Sequence, residues 1–187
     1  MSTNHVPAPS PIALQPTEGE PLWFMGFLAT IKASAEGTAG RVAVIHHIGP
    51  QDAGSPLHVH HRENEWFYVL DGELTVWVGG QVTRAPAGSF VFGPQGTPHT
   101  FTVSSPDGAS FLLVTEPGGF EAFMRTCAEP ARSLTLPPPP DSPPDLAWWV
   151  AQVRMALDTT APRTPPRSRS VELRVRSDSA GAVRLAG

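Results

Sequence analysis

His58-Val59-His60-His61-Arg62-Glu63-Asn64-Glu65-Trp66-Phe67-Tyr68-Val69-Leu70-Asp71-Gly72-Glu73 is the stretch on which the reading of this chain turns. His58 and His60 are two residues apart, so in an extended backbone both rings leave the same face. Two imidazoles side by side make half of a metal site. Glu65 lies five residues beyond His60, and strict alternation would send it to the opposite face. The polar run His61-Arg62-Glu63-Asn64 between them can form a turn that resets the parity. Glu65 to Leu70 then reads as a strand that meets Asp71-Gly72, and Glu73 to Val78 follows. An Asp-Gly pair between two aromatic and β-branched runs predicts a hairpin, because both turn positions need positive φ.

Outward from this stretch the same signals repeat. Pro21 to Lys32 reads as an apolar first strand on which Trp23, Met25 and Phe27 alternate. Arg41 to Ile48 places Val42, Val44, His46 and Ile48 on one face and Ala43, Ile45 and His47 on the other, so His46 and His47 point apart. Gly79-Gly80 predicts a second hairpin before Gln81 to Arg84, and Ser105-Pro106-Asp107-Gly108 another turn. Pro94-Gln95-Gly96-Thr97-Pro98 is an extended approach to His99, with Thr97 kept extended by the proline after it. His99, Phe101 and Val103 share one face. About nine short strands with regular turns predict an all-β protein, an antiparallel sandwich or barrel able to hold a ligand inside. Two short C-terminal helices are predicted. One runs from Glu121 to Ala128, with Phe120, Phe123, Met124 and Cys127 on one face. The other starts at Ser142 and carries Leu146, Trp149, Val150, Val153 and Leu157.

Composition sets the boundaries. Of 187 residues 22 are proline, which excludes an α-helical bundle. Fifteen of these prolines lie in 1–21, 130–144 and 162–166. The expected organisation is a proline-rich arm at 1–21, a barrel at 22–129, a proline-rich linker and helix at 130–158, and a basic disordered tail at 159–187. That tail carries six arginines against Glu172 and Asp178, whereas the whole chain has a net charge of −4. The body is therefore acidic, and nucleic acid is not expected as a partner. No apolar run approaches the roughly 20 residues of a membrane helix, so no membrane partner is expected either. A single cysteine, Cys127, excludes an internal disulfide framework. The N-terminus has neither a basic start nor an apolar core. A soluble, cytoplasmic protein is expected.

The residues match a known family at this point. His58-Val59-His60, four residues, Glu65, six residues and Gly72 resembles the first cupin motif, and Gly88, five residues, Pro94-x-Gly96-x-x-His99 resembles the second. Fifteen residues separate Gly72 from Gly88, as in compact microbial cupins. The run from Glu65 to Glu73 is similar to small single-domain cupins of the quercetin 2,3-dioxygenase-like type. Two positions depart from the pattern: Val103 stands where the second motif usually has asparagine, and Asp52 stands at the expected first glycine, with Gly54 close by.

The resemblance implies a double-stranded β-helix, or jelly roll. It also implies one divalent transition metal held by His58, His60, Glu65 and His99. Three neutral imidazoles and one carboxylate suit Fe, Mn, Ni, Co, Cu or Zn alike and leave open positions on a five- or six-coordinate ion. Glu65, the one anionic ligand, is the candidate catalytic base. Met25, Phe27, Phe67, Val69, Phe92 and Phe101 are candidates for an apolar substrate pocket. The implied function is an oxygenase acting on an aromatic or enol-type small molecule. A non-redox isomerase, cyclase, lyase or hydrolase and a non-catalytic binding module are the alternatives. A homodimer is expected from the family's habit of exchanging edge strands and from the apolar edge Leu22 to Ile31.

Overall fold

The computed structural model describes residues 10–139, and the backbone of two further strands at 174–177 and 183–186. Nine strands build the body: β1 (Glu20–Phe24), β2 (Phe27–Ala33), β3 (Ala43–Gly49), β4 (Asn64–Asp71), β5 (Glu73–Val78), β6 (Gln81–Pro86), β7 (Phe90–Gly93), β8 (His99–Val103) and β9 (Ala109–Glu116). The helix α1 (Phe120–Cys127) and the two-residue strand β10 (Glu129–Pro130) follow. One sheet has the order β10-β1-β2-β3-β9-β4-β7 and the other the order β6-β5-β8. All pairings are antiparallel. This is the expected all-β jelly roll with a short helix.

Alternation decides what each strand buries. Glu65, Phe67 and Val69 of β4, Ala43, Ile45 and His47 of β3, and Phe111, Leu113 and Thr115 of β9 all point inward. With Phe27, Leu74, Val76, Phe101 and Val103 they form the interior between the two sheets. The helix α1 closes one side. Met124 is fully buried, Phe120 and Phe123 pack edge-on against Phe24, and the buried Glu121 carboxylate accepts the backbone N–H groups of Ala35 and Gly119.

Three expectations change. The single first strand is two strands, because Met25 (φ 52°) and Gly26 (φ 84°) make a two-residue hairpin that pairs Phe24 with Phe27. Asp71-Gly72 is not a hairpin: β4 belongs to the larger sheet and β5 to the smaller, so the turn is a corner between sheets. Gly72 (φ 74°) is required there, since a Cβ would run into the Gly108 carbonyl at the second corner, between β8 and β9. Gly79-Gly80 is the hairpin expected, with both residues at positive φ and Val78 paired with Gln81. The edge of β1 is covered at Leu22 and Trp23 by Pro130 and Glu129, which removes much of the free edge behind the expected strand exchange.

The predicted helix from Ser142 lies outside the described residues. In the tail, β11 (Arg174–Ser177) and β12 (Val183–Ala186) form an antiparallel pair. Among the described residues no helix is long and apolar enough to cross a membrane.

Candidate metal centre

The four residues singled out from the sequence come together. Glu65 projects inward from β4 of the larger sheet and His99 from the start of β8 of the smaller. His58 is tied to His99 by reciprocal backbone hydrogen bonds, His58 N–H to His99 O at 3.0 Å and His99 N–H to His58 O at 2.9 Å. The segment 58–60 is therefore a single bridge beside β8 and not a full strand. The parity reset happens where expected. The chain bends at His61-Arg62, held by Gly96 N–H to His60 O (2.8 Å), Gln95 N–H to Asn64 Oδ1 (3.0 Å) and the Gln95 amide to His61 O (2.6 Å).

The donor atoms converge. His58 Nε2 and His60 Nε2 are 3.2 Å apart, His99 Nε2 and Glu65 Oε2 3.0 Å, and His60 Nε2 and Glu65 Oε1 3.4 Å. One ligand atom from each of the four residues lies within 4.8 Å of all the others. His60, Glu65 and His99 are buried, and His58 is half-buried. The far ring nitrogens fix the tautomers. His58 Nδ1 donates to the Pro56 carbonyl and His99 Nδ1 to the Thr97 carbonyl, each at 2.8 Å. A carbonyl only accepts, so both Nδ1 atoms carry the proton and both Nε2 atoms offer lone pairs to the centre. His60 Nδ1 faces the Glu63 carboxylate at 3.6 Å, which favours the same orientation. The donor set fits a single divalent metal.

Charge is arranged accordingly. Burial pushes His58 down to about 4, against the pull of Glu65, so this ring is neutral at physiological pH. Burial also acts to lower His60, but the Glu63 and Glu65 carboxylates outweigh it and raise this ring to about 9. Burial acts to raise Glu65, and the hydrogen bond and positive charge of His60 outweigh it and hold the carboxylate well below the usual carboxylate range. Without metal an ionised Glu65 carboxylate thus lies beside the His60 imidazolium.

The pocket candidates divide. Phe27, Phe67 and Phe101 form one aromatic cluster with Phe111, ring centroids 5.3 to 6.2 Å apart, and Val69 is buried in the same core. Met25 sits in the β1–β2 turn and packs on the outside of that core. Phe92 does not join them. It pairs across strands with Trp66, whose parity is opposite to Glu65, and its ring lies on the outer face, 44% exposed.

Three residues at the site were not picked out from the sequence as site residues. Phe120 of α1 sets its ring 5.2 Å from that of His60, edge to face. No local pattern signals a contact across sixty residues. Glu63 stands three residues after His60 in a polar run that reads as a plain turn. His47 is buried, stacked on Phe111 at 5.1 Å and edge-on to Phe27, and its Nδ1 has no hydrogen-bond partner among the described residues. Burial pushes it down to about 4.

The fold and this cluster define a cupin. Residues 44–115 match the cupin domain family. The chain carries a cupin domain of quercetin-dioxygenase-like sequence: it is 31% identical over 132 residues to quercetin 2,3-dioxygenase of Bacillus subtilis, covering 71% of this chain and 39% of that protein. The chain therefore spans well under half the length of that relative. Among solved structures it is similar in fold to a predicted oxalate decarboxylase of Thermotoga maritima (TM-score 0.53, 20% identity, 57% of this chain and 99% of that one). It is also similar to an RmlC-like cupin of Shewanella frigidimarina (TM-score 0.50, 18% identity, 59% and 94%).

Proposed function

We propose that this protein is a metal-dependent oxygenase acting on an aromatic or enol-type small molecule. The observation that carries the reading is the convergence of His58, His60 and His99 Nε2 with the Glu65 carboxylate, in a chain 31% identical to a quercetin 2,3-dioxygenase. A divalent transition metal held by these four residues would supply Lewis acidity and, for a redox-active ion, access to dioxygen. The remaining roles fall to the chain. Glu65, the one carboxylate of the cluster, takes the proton of a substrate hydroxyl. Its position supports this, because the two carboxylate oxygens face different histidines. Glu63 keeps His60 turned toward the centre. Phe120 forms an apolar wall against His60 and limits water on that side.

The non-redox alternative uses the same residues, with Glu65 moving a proton and no oxygen consumed. Oxygen uptake over a panel of flavonoid-like and small phenolic compounds separates the two. Turnover of the productive compound should stop under anaerobic conditions, and turnover that persists without oxygen would remove the oxygenase reading. A homodimer in a reducing compartment, the cytoplasm, belongs to the same proposal and is checked by light scattering. A monomer would remove the dimer and leave the metal chemistry untouched.

A further inference from the structure

The outward residues of the larger sheet are unequally covered. On β2 both faces are buried, Leu28 and Thr30 included. At the other end of the sheet the outer face is open. Tyr68 and Leu70 of β4 are each 46% exposed, and Phe90 and Phe92 of β7 are 60% and 44% exposed. Trp66, Leu112 and Val114 continue this face, since Trp66 registers with Phe92 and Val114, and Tyr68 with Phe90 and Leu112. None of these side chains is charged, and contiguous aromatic exposure of this kind marks a surface that something covers.

The path of the chain names what covers it. After β10 the backbone crosses the outside of the sheet. Ala131 N–H donates to Pro21 O at 3.0 Å and Trp23 Nε1 to Thr135 O at 2.9 Å. Leu136 then lines one surface depression together with Ile48, Asp71 and Ser110, at the ends of β3, β4 and β9. The described segment ends at residue 139, three residues beyond Leu136. The sequence that follows reaches Asp145 through Pro140, Pro143 and Pro144, and an extended proline-rich tether of six residues spans about 19 Å. Three strand spacings across β3, β9, β4 and β7 amount to only about 14 Å. Beyond the tether, Leu146, Trp149, Val150, Val153 and Leu157 recur at helical spacing, and a helix over 145–157 would extend about 20 Å.

We propose that the segment 145–157 docks through this apolar stripe onto the outer face formed by β9, β4 and β7 of its own chain. Tethering favours it over a second copy, because a short linker raises the local concentration far above that of free protein.

Two double variants of the full chain test this: Phe90→Ala with Phe92→Ala on the face, and Trp149→Ala with Val153→Ala on the segment. Each should lower Tm by about 4 °C, and all four substitutions together should lower it no further than either pair alone. Oligomeric state should be the same in every variant. Additive losses, or no loss from the segment variant, would overturn the proposal. So would dissociation of a dimer by the face variant alone, which would assign the face to a second copy. If the fourfold variant does not fold, hydrogen exchange on the segment variant decides. Faster exchange of the β7 amides is expected, and unchanged exchange would overturn the proposal.

Discussion

His60 shows how one residue couples the site to pH. Its imidazolium is sustained to about 9 by Glu63 and Glu65 despite burial, so over pH 6 to 8 a metal must displace one proton to bind. Apparent metal affinity should therefore rise about tenfold per pH unit across that range, read by competition with a chelator. A flat profile would show that His60 is not protonated in the metal-free centre over that range. In the metal-free protein the same pairing has the opposite pH sense. Its stabilisation is complete below the ordinary value of 6.5 and is lost as pH rises through about 9. Glu63→Gln should lower the His60 value and flatten the affinity profile while leaving metal stoichiometry intact. His47 behaves differently. Its folded value near 4 means that the unfolded chain binds more protons between pH 6.5 and 4, so stability falls with pH across that window. A shift of that size corresponds to a loss on the order of 3 kcal/mol. His47→Phe, an aromatic placed among Phe27 and Phe111, should remove this part of the acid sensitivity in urea unfolding at pH 5 compared with pH 7.5.

Among the elements, turns carried the most information and also caused the misreadings. Gly79-Gly80 lies between two strands that pair, so local chemistry and topology agree. Asp71-Gly72 has an equally strong turn signature, yet the chain there passes from one sheet to the other. A positive-φ turn specifies a change of direction. Which strand the next segment pairs with is decided by burial across the whole barrel. Met25-Gly26 has no strong turn signature, and a hydrophobic run from Leu22 to Ile31 hid the reversal. The two glycine sites differ in a testable way. A Cβ at Gly80 meets nothing, whereas one at Gly72 meets the Gly108 carbonyl, the Ser105 hydroxyl and Ala109. Gly80→Ala should cost about 1–2 kcal/mol from the left-handed backbone alone. Gly72→Ala should cost distinctly more in urea unfolding, because it also forces the two corners apart.

At the scale of the molecule, the metal cluster was legible because its spacing is short-range and its residue types are rare. His58, His60 and Glu65 sit within eight residues, and Pro94 and Pro98 frame the approach to His99. The interior was legible only as parity. Phe67 and Phe101 could be placed inward, but not their packing with Phe111 and Phe27 into one aromatic cluster. Phe92 was placed wrongly because β7 sets it opposite Trp66 on the outer face of β4, and register is a long-range property. Phe67→Ala should cost about 3–5 kcal/mol, since the fully buried ring touches neighbours from both sheets. The claim on which the rest depends is a single metal held by side chains from both sheets. Elemental analysis of the native full-length protein beside His99→Ala tests it most directly. The structure predicts about one equivalent of a divalent transition metal per chain, lost in the variant while the fold is kept. Native protein without metal after reconstitution, or a variant that binds as much as the parent, would contradict it.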